Sequence, residues 1–99
     1  MIVEITAAAE ADLEAIGDYI ARDNPARAAS FVRELYQCCL DLADMPKAWP
    51  VVPRYAALGI RRRVHGRYLI FYRVNPGRIT ILHILNGAMD VDAVLFPGG

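Results

Sequence analysis

Lysine is nearly missing from this 99-residue chain: Lys47 is the only one, beside ten arginines. A planar guanidinium grips carboxylates and phosphates in bidentate fashion, whereas an ammonium acts as a point charge, so the bias favours fixed interfaces with anionic groups. Cysteine is almost as scarce. Cys38 and Cys39 are adjacent, which excludes a disulfide framework and the usual spacing of a metal site. Both thiols are expected to be reduced. His65 and His83 are the only imidazoles, and no Ser/His/Asp or Cys/His set forms at any sensible register. The seven glycines are scattered and build no phosphate-cradling loop. No apolar run reaches membrane-spanning length and no signal peptide is recognisable, so a cytoplasmic location is expected.

Acidic residues are rare in the second half. Residues 45–99 hold two acids and eight basic residues, while residues 1–44 hold nine acids and three basic residues, giving halves of −6 and +6 in a chain of net charge zero. The densest positive charge is Arg61-Arg62-Arg63, which leads directly into the apolar stretch from Val64 to Val74. A basic patch on an apolar strand implies an anionic partner, either nucleic acid or an acidic protein segment. Hydrophobic residues make up 56% of the chain. A domain of this size buries about 60–68% of its unfolded surface, so apolar area is left over for a partner.

The order of elements predicts one α+β domain over residues 1–99: an N-terminal strand, an antiparallel helix hairpin, then a three- to four-strand, mainly antiparallel sheet. Residues 2–5 read as the strand. Ala9, Leu13, Ile16 and Ile20 form one helical stripe over 7–22. Asn24-Pro25 caps and starts a second helix, which carries Ala28, Phe31, Leu35, Cys38 and Leu42 and stops near Asp44, before Met45-Pro46. Residues 45–59 form a proline-rich loop pinned by Trp49 and Tyr55. Strands follow at 60–65, 68–74 and 79–85, with tight turns at Gly66-Arg67 and Pro76-Gly77. Residues 91–95 read as a last short strand, and the tail ends in Phe96-Pro97-Gly98-Gly99.

Strict alternation from these turns assigns two sheet faces. One carries Tyr68, Ile70, Tyr72, Val74, Ile79, Ile81, His83 and Leu85, with Arg61, Arg63 and His65 at its edge, and is expected to lie under the helices. The other carries Ile60, Arg62, Val64, Leu69, Phe71, Arg73, Thr80, Leu82, Ile84 and Asn86. Two helices cover one face only, so the second is read as an apolar groove ringed by Arg62 and Arg73. His83 is expected to be a satisfied core histidine and His65 to be solvated. Asp90 and Asp92 alternate near a strand start, which is weak evidence for a metal site; neither a metal nor a cofactor is expected.

The chain resembles the RelE/ParE toxin superfamily, in its ParE branch, over nearly its full length. The resemblance rests on Ala11-Asp12-Leu13 with Ile16, Tyr19 and Ile20, and on Asn24-Pro25 with Ala28 and Phe31. It continues through Arg62, the run Tyr68-Leu69-Ile70-Phe71-Tyr72-Arg73-Val74, and Ile84-Leu85-Asn86-Gly87-Ala88-Met89-Asp90. The resemblance implies the toxin of a type II toxin–antitoxin pair. RelE-like members cleave mRNA with arginines on the open sheet face and a C-terminal Tyr or His. At three candidate positions this chain departs from that pattern: Leu69 follows the strand-opening Tyr68, Met89 stands where many members have Arg, and Phe96 lacks a hydroxyl. Asn86 likewise replaces a common His.

These departures point to a non-enzymatic ParE-type toxin that inhibits DNA gyrase and is neutralised by a ParD-type antitoxin in a hetero-oligomer. Arg62, Leu69, Phe71, Arg73 and Leu82 are the expected antitoxin-binding residues. The apolar tail Leu95, Phe96 and Pro97, read as exposed, is the expected target-engaging segment. The alternatives are a ribosome-dependent endoribonuclease using Arg61, Arg62 or Arg73 as phosphate clamps and, last, a plain nucleic-acid binder. The balanced net charge argues against direct sequence-specific DNA binding, and no membrane contact is expected.

Overall fold

A four-stranded sheet in the order β1-β4-β3-β2 organises the molecule. It was obtained as a computed structural model that describes residues 1–98. The elements are β1 (Ile2–Ile5), α1 (Ala7–Ala21), α2 (Pro25–Asp41), a 3-10 segment (Pro53–Leu58), β2 (Ile60–His65), β3 (Tyr68–Asn75), β4 (Arg78–Asn86) and α3 (Val91–Leu95). β1 runs parallel to β4, and the other pairings are antiparallel. The α+β plan thus matches the sequence reading. Among the described residues, no helix is long and apolar enough to cross a membrane.

The helix starts follow from their caps. The Thr6 hydroxyl accepts the Ala9 N–H at 3.1 Å and donates to the Ile81 carbonyl at 2.8 Å, so one side chain starts α1 and ties it to β4. The Asn24 side chain accepts the Arg27 N–H, and Pro25 occupies the first helical position, where its missing N–H removes no hydrogen bond. α2 ends at Asp41, sooner than the expected Asp44, because its last N–H groups tighten onto carbonyls three residues back, from Leu42 to Cys39 through Asp44 to Asp41. Gly66 and Gly77 occupy positive φ in the two tight turns, at 59° and 71°, where any other L-residue would be strained.

Both helices pack on one face of the sheet. Leu13, Ile16, Leu35, Cys39 and Leu42 meet Ile70, Tyr72, Ile79, Ile81 and Ile84 in the main core. One irregularity changes the expected faces. Phe71 pairs with His83 but Tyr72 pairs with Ile81, leaving Leu82 as the extra residue of a bulge. Alternation therefore reverses beyond it. Ile84 joins the helix-side core and Leu85 packs on the opposite face with Phe71, the reverse of strict alternation. Asn86, paired with Tyr68, changes sides with them. At this point β4 has run past β1, and Asp12 of α1 takes the place of a strand partner. Its Oδ2 accepts the Ile84 N–H at 2.9 Å and lies 2.8 Å from His83 Nδ1. His83 is thus satisfied, but by a carboxylate at the strand edge, while half-buried.

A second correction concerns residues 91–95, which form the helix α3 and not a strand. Asp90 decides this, since its carboxylate accepts the Ala93 N–H at 3.3 Å as an N-cap. The loop anchors behave as expected: Trp49 packs against the main core and Tyr55 is buried in a second cluster.

Cys39 is fully buried, and burial, reinforced by Cys38, pushes its thiol from 9.0 up to about 12. The sign follows from proton linkage: the unfolded thiol ionises first, so folding stability is whole below about pH 9 and declines as pH rises toward 12. By pH 11 the loss from this group is roughly 2–3 kcal/mol. Urea unfolding at pH 8 and pH 11 should show a smaller decline for Cys39→Ala than for the wild type. Equal declines would assign the effect to other groups.

Candidate functional site at the far face of the sheet

The face away from the two helices is built by β2, β3 and the bulged half of β4. Pairing places Arg62 across from Phe71, and Arg73 across from Ile60. The two arginines are therefore diagonal neighbours, a relation that separates strand positions by roughly 7–8 Å and their Cβ atoms by somewhat less. Both are exposed. Among the described residues neither has a carboxylate within salt-bridge distance, whereas Arg27, Arg54 and Arg78 each have one. Two like charges thus stand unneutralised on an apolar-flanked face.

The other two arginines of the triplet point the opposite way, as alternation predicts. Arg61 donates to the Trp49 carbonyl at 2.6 Å, and Arg63 donates to the Cys38 carbonyl at 3.0 Å while lying 4.9 Å from the Trp49 ring centroid. Arg61 and Arg63 brace the loop and are not available as phosphate clamps.

The floor of the face is not open. Phe71 is only 1% exposed. Tyr55 and the C-terminal residues Val91, Val94, Leu95 and Phe96 pack over Phe71 and Leu85, with Leu69 and Leu82 half-buried at the margin. The Tyr55 and Phe96 rings lie 5.0 Å apart, and Arg54 pairs with Asp92 at 2.8 Å. This corrects the reading of an uncovered groove, and with it the reading of a free tail: Leu95 and Phe96 are packed, and Pro97 is exposed. The cover arises because a five-residue helix has no core of its own and must lay its apolar side on a neighbour. Val91, Val94 and Leu95 sit at helical spacing, a signal that the sequence held. The cover leaves a pocket on either side. One, of about 400 Å3, is lined by Arg54, Arg62, Leu69, Met89, Asp90 and Asp92 among others. The other, of about 320 Å3, lies beside Arg73.

Leu69, Met89 and Phe96 on this face, and Asn86 on the helix side, carry no acid or base, whereas Asp90 and Asp92 line the pocket beside Arg62 and His83 lines the one beside Arg73. Elsewhere the fold does bring together a Cys/His pair that the sequence did not reveal. Cys38 Sγ lies 3.6 Å from His65 Nδ1, and His65 Nε2 lies 3.2 Å from Glu34 Oε1. His65 is half-buried against Phe31 and not solvated as expected. This trio resembles a nucleophilic set only in outline. Cys38 is 7% exposed, and burial raises its thiol, with Arg63 only partly opposing. It stays a protonated, inaccessible thiol where a nucleophile must be an accessible thiolate. Arg27 first, then His65, holds the Glu34 carboxyl below its ordinary value, consistent with a surface ion-pair cluster.

The family model for the ParE toxin of type II toxin–antitoxin system, parDE, matches residues 3–91. Among solved structures, the chain is similar to one described as the chromosomal ParDE TA system from P. aeruginosa. The two share 25% identity and a TM-score of 0.74, over 87% of this chain and 95% of that one. No curated protein sequence matches.

Proposed function

This chain belongs to the ParE toxin family of type II toxin–antitoxin systems, and on that premise we propose that it inhibits DNA gyrase and is neutralised by a ParD-type antitoxin. A toxin of this family is not an enzyme, and the system to which it belongs implies a complex with an antitoxin partner. The observation that supports the finer reading is the pair Arg62 and Arg73, unneutralised beside apolar surface. An acidic partner segment would supply the missing carboxylates, with Leu69 and Leu82 offering apolar contact and Phe71 supporting them from beneath. Gyrase as target places the protein in the cytoplasm. Leu95, Phe96 and Pro97 are the proposed target-engaging residues, and Pro97 is the exposed end of that segment.

Purified toxin should block supercoiling by gyrase and leave mRNA intact in a translating extract. Cleaved mRNA with normal supercoiling would replace this reading by the ribonuclease one. A chain lacking residues 97–99 should bind antitoxin normally yet inhibit gyrase at least tenfold less; full retained inhibition would remove Pro97 from the mechanism.

A further inference from the structure

We propose that the pocket beside Arg73 anchors an apolar side chain of the acidic antitoxin segment, and that the anchored segment covers Leu95 and Phe96, so that antitoxin and target compete for one C-terminal surface. This rests on the toxin reading above. The pocket is about 320 Å3 and is walled by Leu58, Ile60, Leu82, Leu95 and Phe96. That is the small end of ligand pockets, suited to one or two apolar side chains. Arg73 and His83 are the basic side chains of its lining, and His83 Nδ1 lies 2.8 Å from Asp12 Oδ2. Among the described residues, Arg73 has no carboxylate partner and stands at an apolar cavity.

The pocket beside Arg62 differs. Asp90 and Asp92 line it together with Arg54 and Arg62, so an incoming carboxylate meets acids as well as a guanidinium. Among the described residues, no acid lines the Arg73 pocket. Charge complementarity therefore favours the Arg73 pocket for a segment in which an apolar residue stands within one helical turn of Asp or Glu. Leu58, 48% exposed at the rim, is positioned to be covered on binding. Because Leu95 and Phe96 form a wall of this pocket, a partner seated there hides the segment proposed to reach the target.

The test uses the full chain and, as probe, the purified product of the reading frame adjacent to its gene. Leu58→Glu places a negative charge beside Arg73 without touching the core and should weaken binding at least tenfold. Tyr36→Glu, on α2 at the other side of the sheet and 47% exposed, should change it less than threefold. Hydrogen exchange at residues 91–96 should slow on binding. Unchanged affinity for Leu58→Glu, or unprotected residues 91–96, overturns the pocket proposal. If Arg62→Ala nevertheless weakens binding, the toxin–antitoxin reading survives that failure; if the wild type does not bind the probe, both fall. Self-association of the wild type that Leu58→Glu abolishes would assign the pocket to a second copy and also overturn the proposal.

Discussion

Replacing Arg62 and Arg73 together by alanine should weaken the antitoxin complex by at least two orders of magnitude while leaving the fold intact. Both side chains are exposed and lack carboxylate partners among the described residues. The free toxin therefore loses little, within about 0.5 kcal/mol for surface sites of this kind. In the complex each arginine is expected to be covered and paired. Truncating one member of a buried charge pair costs about 2–5 kcal/mol, largely because the other charge is left stranded. Even the low end is about 30-fold per site. The two changes should not add cleanly, since diagonal neighbours couple and the mutual repulsion of the free arginines is relieved at the same time. Titration calorimetry on both single variants and the double variant, with melting curves as control, measures this. Unchanged affinity in a folded double variant would remove the far face from the antitoxin interface.

Tyr72→Ala should lose about 3–5 kcal/mol of folding stability, a large share of the roughly 5–15 kcal/mol that a domain of this kind possesses. Tyr72 is fully buried at the centre of the sheet, between Arg61 on β2 and Ile81 on β4. Its hydroxyl donates to the Pro46 carbonyl at 2.8 Å, so the ring fills the core and the hydroxyl fastens the loop after α2. Tyr72→Phe separates the two effects. It keeps the volume, removes the hydrogen bond and should lose only about 1 kcal/mol. Urea midpoints for the two variants decide: a Tyr72→Phe loss as large as that of Tyr72→Ala would mean that the loop fastening, not the packing, dominates at this position.

The elements most legible in the sequence were those whose signals are local. Asn24-Pro25 marked the start of α2, the two Gly turns set the strand spacing, and parity correctly separated Arg62 from Arg61 and Arg63. The misread features were decided by residues far away in the chain. Ile81-Leu82-His83-Ile84-Leu85 is nearly uniform in polarity, so nothing within it marks Leu82 as the extra residue. Asp12, more than 70 positions earlier, stabilises the break by accepting the Ile84 N–H. Likewise the Cys38–His65 contact joins α2 to β2 across 27 positions, beyond the reach of spacing rules. The burial of Phe71 follows from α3, whose Val91, Val94 and Leu95 hold a helical pattern too short to stand out from a strand in the sequence.

The parallel pairing of β1 with β4 has a consequence for how the protein is made. Among the described residues, Ile2–Ile5 is synthesised before the rest of the sheet, yet its strand partner, Arg78–Ile81, lies 76 positions further along the chain. The helix hairpin can form early from local contacts. The sheet, by contrast, must wait until β4 has been synthesised, because nonlocal pairing cannot precede its partner. A chain built this way has no complete sheet until β4 has been made, so a partner that reads the far face, to which β2, β3 and β4 all contribute, can meet that face only after this point.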